Sequence, residues 1–66
     1  MKNDVKRFRQ LNDHTQQELA NAIGVSRQTI HAIESGKYVP STVLALKMAR
    51  LFKCEVSDLF KLEGNE

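Results

Sequence analysis

Apolar residues recur along the chain at helical spacing, in clusters separated by glycine or by short polar residues. Over residues 4–12, Val5, Phe8 and Leu11 return every third position and predict a first helix with Asn3 as its N-cap. Arg9 lies beside that stripe. It is therefore either partly buried and paired, or it runs its stem along the apolar surface to water. Asn12 and Asp13 break the helix, because their short side chains bond to nearby backbone. Thr15 and Glu18 then form a T-x-x-E capping box, in which each side chain satisfies a backbone donor left over at a helix start. The second helix buries Leu19, Ala20 and Ile23 and stops at Gly24, which takes a left-handed cap without steric cost. His14, just before the box, is expected to be a half-buried packing residue. No second histidine or acid stands at ligand spacing, so no metal site is predicted.

The next helix starts almost at once, with Ser26 as N-cap and Val25 and Ile30 as an apolar staple across its first turn. Ile30 and Ile33 face the core over residues 26–35, with Glu34 on the margin. Arg27, Gln28, His31 and Ala32 face outward and Thr29 lies near the edge. Gly36 ends this helix, and Pro40 keeps residues 35–40 a loop. Ser41 caps a fourth helix over 41–53, where Leu44, Ala45, Met48, Leu51 and Phe52, with Val43 and Leu46 alongside, cover more than one stripe. So broad an apolar surface suits a central bundle helix or one that meets a partner subunit. Cys54 reads as a small hydrophobe. A short fifth helix, VSDLF, turns Val56, Leu59 and Phe60 inward, and KLEGNE ends the chain as a frayed tail or short extended segment. The expected fold is all-α: a compact five-helix bundle containing a helix-turn-helix. It forms one domain over residues 1–66, with its core at about 4–60 and a polar tail at 61–66.

Composition narrows the class. At 66 residues, 41% hydrophobic and 27% charged, the chain is near the lower size limit for a domain that folds without staples. Its single cysteine excludes an internal disulfide and a cysteine-based zinc site, and it fits a reducing, cytoplasmic setting. No apolar run is long enough for a membrane span or a signal peptide. No acid pair, nucleophile–base set, phosphate loop or metal cluster is visible, so neither an enzyme nor a cofactor is expected. The net charge is only +2. Its placement says more, since Lys2, Lys6, Arg7, Arg9, Arg27 and Lys37 precede a tail carrying Glu63 and Glu66.

The outward face of residues 26–35 is where composition departs from an ordinary solvated stripe. It lacks the lysine–glutamate pairs that usually solubilise a helix. Instead it carries Arg27 and Gln28 in its first turn, the side chains able to make bidentate bonds to guanine and adenine edges. The expectation is that this helix enters the major groove of double-stranded DNA. Lys37 and Tyr38, in the loop that follows, are placed to meet phosphates.

Taken jointly, TQQELANAIGVSRQTIHAIESGK, the pair Pro40–Ser41, ALKMARLF and VSDLF resemble the Cro/cI family of helix-turn-helix regulators, also called the xenobiotic-response-element family. The likeness spans about Val5 to Phe60. VSRQTI, IE, GKY and LALK look most similar to its short stand-alone repressors, including the cytolysin-operon repressor type. The resemblance implies a lambda-repressor-like fold and a homodimer on a palindromic operator. Carried over position by position, it assigns Thr15 and Gln16 to flanking phosphates, and Ser26, Arg27, Gln28, Thr29 and His31 to base and phosphate contacts. Lys37 and Tyr38 fall on far phosphates. Arg9 and Glu34 match a structural ion pair that ties the first helix to the end of the recognition helix. Three positions depart from the family pattern: His14 replaces an aliphatic residue, Thr42 a leucine, and Ala32 a long amide. The alternative reading is an antitoxin-type interaction module whose apolar fourth helix and C-terminal segment mask a partner protein. A dimer surface is expected between Lys53 and Leu62.

Overall fold

The helix-start chemistry read from the sequence is present at atomic scale. In the computed structural model, which describes all 66 residues, Glu18 N donates to Thr15 Oγ1 at 3.0 Å and Thr15 N to Glu18 Oε1 at 2.8 Å. These bonds hold the Glu18 carboxyl below its ordinary value, the Thr15 backbone donor contributing most. Ser26 Oγ takes the Thr29 amide at 3.1 Å and Ser41 Oγ the Leu44 amide at 3.2 Å. The resulting helices are α1 (Val5–Leu11), α2 (Gln16–Ile23), α3 (Arg27–Glu34), α4 (Thr42–Phe52) and α5 (Val56–Leu59).

The first four helices also end alike. His14 N bonds Arg9 O, Val25 N bonds Ala20 O, Lys37 N bonds Ala32 O and Cys54 N bonds Ala49 O, all at 2.9–3.0 Å. Each amide reaches back five residues over a left-handed residue, the closure that satisfies carbonyls a helix end leaves free. Those residues are Asp13, Gly24, Gly36 and Lys53, with φ from 55° to 80°. Two of them are not glycine, so the sequence marks only two of the four ends plainly. Lys53 lies outside α4 for this reason.

The core is one cluster, built from Val5, Leu19, Ala20, Ile23, Ile30, Ile33, Met48, Ala49, Phe52 and Leu59. Burying each of its larger side chains contributes about 1.5–3 kcal/mol, and α2 with α3 supplies half of the ten. That pair is therefore the part of the bundle least able to shift alone. Phe8 packs on Phe52 with ring centroids 6.2 Å apart, and His14 lies half-buried with its ring 6.5 Å from Phe52. Cys54 is half-buried, and the loss of solvent pushes its thiol above the ordinary value.

Several expectations change. Leu11 does not continue the α1 stripe, since the helix ends there and leaves it 66% exposed. Val43 and Leu46 are 61% and 56% exposed, so α4 buries a single face of Met48, Ala49 and Phe52 and not its whole apolar surface. Asn3 is not the cap of α1; Asp4 holds that position without a side-chain bond. Asn3 instead belongs to β1 (Lys2–Asn3), which pairs antiparallel with β2 (Phe60–Lys61). Phe60 therefore leaves the fifth helix; of the tail, Lys61 joins the strand, the short extended segment that is one of the two expectations, and Glu66 N turns back to Glu63 O at 3.0 Å. Glu63 Oε1 and Glu66 Oε2 lie 3.1 and 3.0 Å from the Met1 amino group. No helix is long and apolar enough to cross a membrane.

Candidate nucleic-acid interface

α3 is held from both ends. At its start, Ser26 caps the helix and Gly24, at φ 78°, turns the chain out of α2 in a short connection. At its end, Glu34 accepts from Arg9 Nε at 2.7 Å and from Arg9 Nη2 at 3.3 Å. Arg9 Nη1 adds a 2.8 Å bond to His14 O. Both charged side chains are nearly dry, at 10% and 5% exposure, so the guanidinium fork locks α1 to α3 with two parallel bonds. Asn3 forms a second tie. Its Nδ2 donates to Ile33 O at 2.9 Å, while its Oδ1 accepts from Val5 N at 3.2 Å.

With Ile30 and Ile33 buried, the 3.6-residue period leaves Arg27, Gln28 and His31 on the outside. All three are exposed and line one shallow depression. Ala32 is half-buried and does not belong to that open face. Thr29 is also half-buried, with Oγ1 at 3.0 Å from Ser26 Oγ. One hydroxyl of that pair donates to the other, which leaves one O–H for an outside acceptor. Thr15 uses its oxygen as an acceptor in the capping box and keeps its own O–H. Lys37 and Tyr38 are exposed in the loop after α3, where both backbone amides bond to Ala32 O at 2.9 and 3.2 Å.

Gln16 is placed differently from the other candidates. It is half-buried, and its Nε2 donates to Glu34 Oε1 at 3.1 Å. The first residue of α2 is thus wired to the last residue of α3, and one amide hydrogen remains free. Beside it stands Lys6, which the sequence offered only as one of six early cations and not as a contact residue. Lys6 precedes Arg9 by one helical turn, and residues three apart on a helix share a face. That spacing was the available signal, because the partner of Arg9 fixes where the face points. No group of histidine, cysteine or acidic residues is arranged to hold a metal ion.

Comparison with known proteins places this arrangement. A family model described as "Helix-turn-helix" matches residues 5–59. An uncharacterised HTH-type transcriptional regulator of Methanocaldococcus jannaschii is 52% identical over 66 residues, covering the whole of both chains. YgzD of Bacillus subtilis, also an uncharacterised HTH-type transcriptional regulator, is 48% identical over 63 residues and 96% of each chain. Among solved structures, the restriction-modification controller protein C.AhdI of Aeromonas hydrophila superimposes with a TM-score of 0.76 at 28% identity, over 85% of each chain. The SOS-response repressor LexA of Eubacterium rectale matches 94% of this chain and 66% of its own, with a TM-score of 0.80 at 27% identity. With its helix pair, its cap chemistry and its matched span in agreement, the chain belongs to the Cro/cI-type helix-turn-helix family and is a DNA-binding transcriptional regulator.

Proposed function

We propose that the protein is a homodimeric repressor that reads a palindromic operator with α3 in the major groove. One observation carries this reading: Arg27, Gln28 and His31 stand exposed together on a helix that is capped, buried behind and locked at its end. A reader must be rigid, because base discrimination of about 1–3 kcal/mol per contact is lost when the donors wander. Arg27 and Gln28 take base edges. Thr15, Gln16, Ser26, Thr29, Lys37 and Tyr38 meet phosphates and set the depth and register of the helix. Free backbone amides at the start of α2 favour the same anion.

The dimer reading rests on what α4 leaves uncovered. Val39, Val43 and Leu46 are each more than half exposed, and an apolar groove beside Leu46 is lined by Pro40, Ala45, Val56 and Phe60. A second copy covering that face places two α3 helices in successive major grooves about 34 Å apart. The outlet for such a complex is occlusion of a promoter. Of the apolar α4 that motivated a toxin-masking role, Met48, Ala49 and Phe52 are spent on the core, and the exposed remainder suits self-association.

Selection of duplexes from a randomised pool, at several salt concentrations, tests the reading directly. The wild type should enrich a two-fold symmetric sequence. Arg27→Ala should bind with relaxed sequence preference, whereas Lys37→Ala should weaken all sequences alike and flatten the salt dependence. Enrichment of no sequence by the wild type would overturn it.

A further inference from the structure

α4 is the longest helix of the molecule and carries no acidic residue. Its charged side chains are two cations, Lys47 and Arg50, which stand three positions apart and therefore side by side on one face. Neither meets a carboxylate, since every ion pair of the molecule lies elsewhere. Arg50, in the last turn, is favoured by the partial negative charge of the helix end. That accounts neither for Lys47 nor for the hydrocarbon beside both. On one flank the cations adjoin Val43 and Leu46, the exposed pair given above to a second copy. On the other they wall a groove against the end of α2, whose remaining lining is Ala22, Ile23 and Leu51. Ala22 is exposed there with only a methyl group, so the groove stays open. α2 supplies no countercharge to it. Its one acid, Glu18, is turned back onto the Thr15 amide at 2.8 Å, and Gln17 is bonded to Asn21 at 2.9 Å. The groove shares no lining residue with the depression of Arg27, Gln28 and His31.

We propose that this groove, between the end of α2 and the second half of α4, docks an acidic amphipathic helix of another protein. The cations set the chemistry of the occupant. Two positive groups one helical turn apart match two carboxylates at i and i+3 or i+4 on a facing helix. The hydrocarbon of Ile23 and Leu51 asks for apolar residues beside those carboxylates, because a purely charged segment would leave it wet. Burial supplies the affinity, and the charges supply orientation and rejection of basic partners. A dimer leaves the groove open, because at 3.6 residues per turn Leu46 and Leu51 fall on opposite sides of the two cations. The partner reaches the regulator without competing for α3, so the groove adds recruitment of a protein to occlusion of DNA. The docking is independent of which residues of α3 read bases.

The test uses the full chain, isotope-labelled for nuclear magnetic resonance, and a synthetic helix-forming peptide of about 15 residues. The peptide carries glutamates at i and i+4 with leucines beside them. Titration should move the amide signals of Ala22, Ile23, Lys47, Arg50 and Leu51 and leave those of Arg27, Gln28 and His31 in place. Lys47→Gln/Arg50→Gln should keep the thermal midpoint and the salt dependence of duplex binding. It should weaken the peptide about tenfold, the combined effect of two exposed ion pairs. Lys47→Arg/Arg50→Lys keeps both charges and should bind the peptide as the wild type does. Lys47→Glu/Arg50→Glu should reject the peptide and take a copy with lysine in place of glutamate. No movement at Ala22 and Ile23, or equal peptide affinity in the glutamine variant, would sink the docking proposal. So would octanoate moving the same signals at the same concentration, which would make the groove a small-anion site. A flatter salt dependence of duplex binding in the glutamine variant would assign the cations to DNA and overturn the proposal too. In each of these cases the reading role of α3 stands.

Discussion

Arg9 is the most informative single residue. An arginine at 8% exposure is tolerable only because its guanidinium donors are engaged by Glu34 and by the His14 carbonyl. Such a pair adds little against a hydrophobic replacement of equal volume, yet loss of one partner costs about 3–5 kcal/mol. A domain of this size has roughly 3–10 kcal/mol in total. Arg9→Ala and Glu34→Ala should therefore each remove a large fraction of the stability, read as a clear fall of the thermal midpoint by circular dichroism. The double variant Arg9→Met/Glu34→Leu should remain folded and cooperative. A double variant no more stable than the singles would show that the pair is worth far more than its geometry implies. The residue types left Arg9 either paired or snorkelling, and only the family resemblance pointed to Glu34 as its partner. The bond from Gln16 to the same carboxylate was not readable, because an amide on a helix start has many acceptors within reach and only packing chooses one.

At the scale of elements, side-chain caps start α2, α3 and α4, and left-handed residues close α1 to α4. The beginnings are chemical signals. Thr15 with Glu18, Ser26 and Ser41 are each recognisable from one or two side chains, and each makes the expected bond. The ends are conformational, and only Gly24 and Gly36 announce them. Asp13 and Lys53 occupy the same left-handed region at φ 59° and 55°, where a Cβ costs roughly 1–2 kcal/mol. Lys53→Gly removes that strain at the end of α4 without touching the core. After allowance for the extra freedom glycine adds to the unfolded chain, a gain of about 1 kcal/mol should raise the thermal midpoint by about 4–8 °C. An unchanged or lower midpoint would mean that the five-residue closure from Cys54 to Ala49 compensates the strain already. Asp13 is the more comfortable of the two, since a short polar side chain visits this region more readily than lysine.

At the scale of the molecule, two features depend on elements far apart in sequence. One is the pairing of β1 with β2, which joins both ends of the described chain and brings Asn3 onto the last turn of α3. The other is the division of α4 into a buried face and an exposed one. That division leaves Val39, Val43 and Leu46 uncovered together. If they meet a second copy, Leu46→Glu should keep the helical spectrum and sediment as a monomer at concentrations where the wild type is a dimer. It should lose operator affinity by far more than it loses binding to random duplex, because only the two-fold site needs both subunits. A wild type that sediments only as monomer would remove the half-site geometry.

What the residues alone dictated is whatever operates within a few positions: the helix starts, the glycine at the helix-turn-helix corner, the apolar faces of α2 and α3, and the donor-rich face between Arg27 and His31. These follow from backbone donors that need partners and from the 3.6-residue period, and both are local. Tertiary structure decided the rest. It left Leu11 exposed at the last position of α1, drew Phe60 from a helix into a strand, put Asn3 on Ile33, and set Lys6 beside Gln16 and His31 in one polar cleft. Each of those outcomes depends on which distant surfaces meet, and many distant surfaces satisfy the same local pattern. Only the packed bundle, where burial and hydrogen bonding must be satisfied together, selects one.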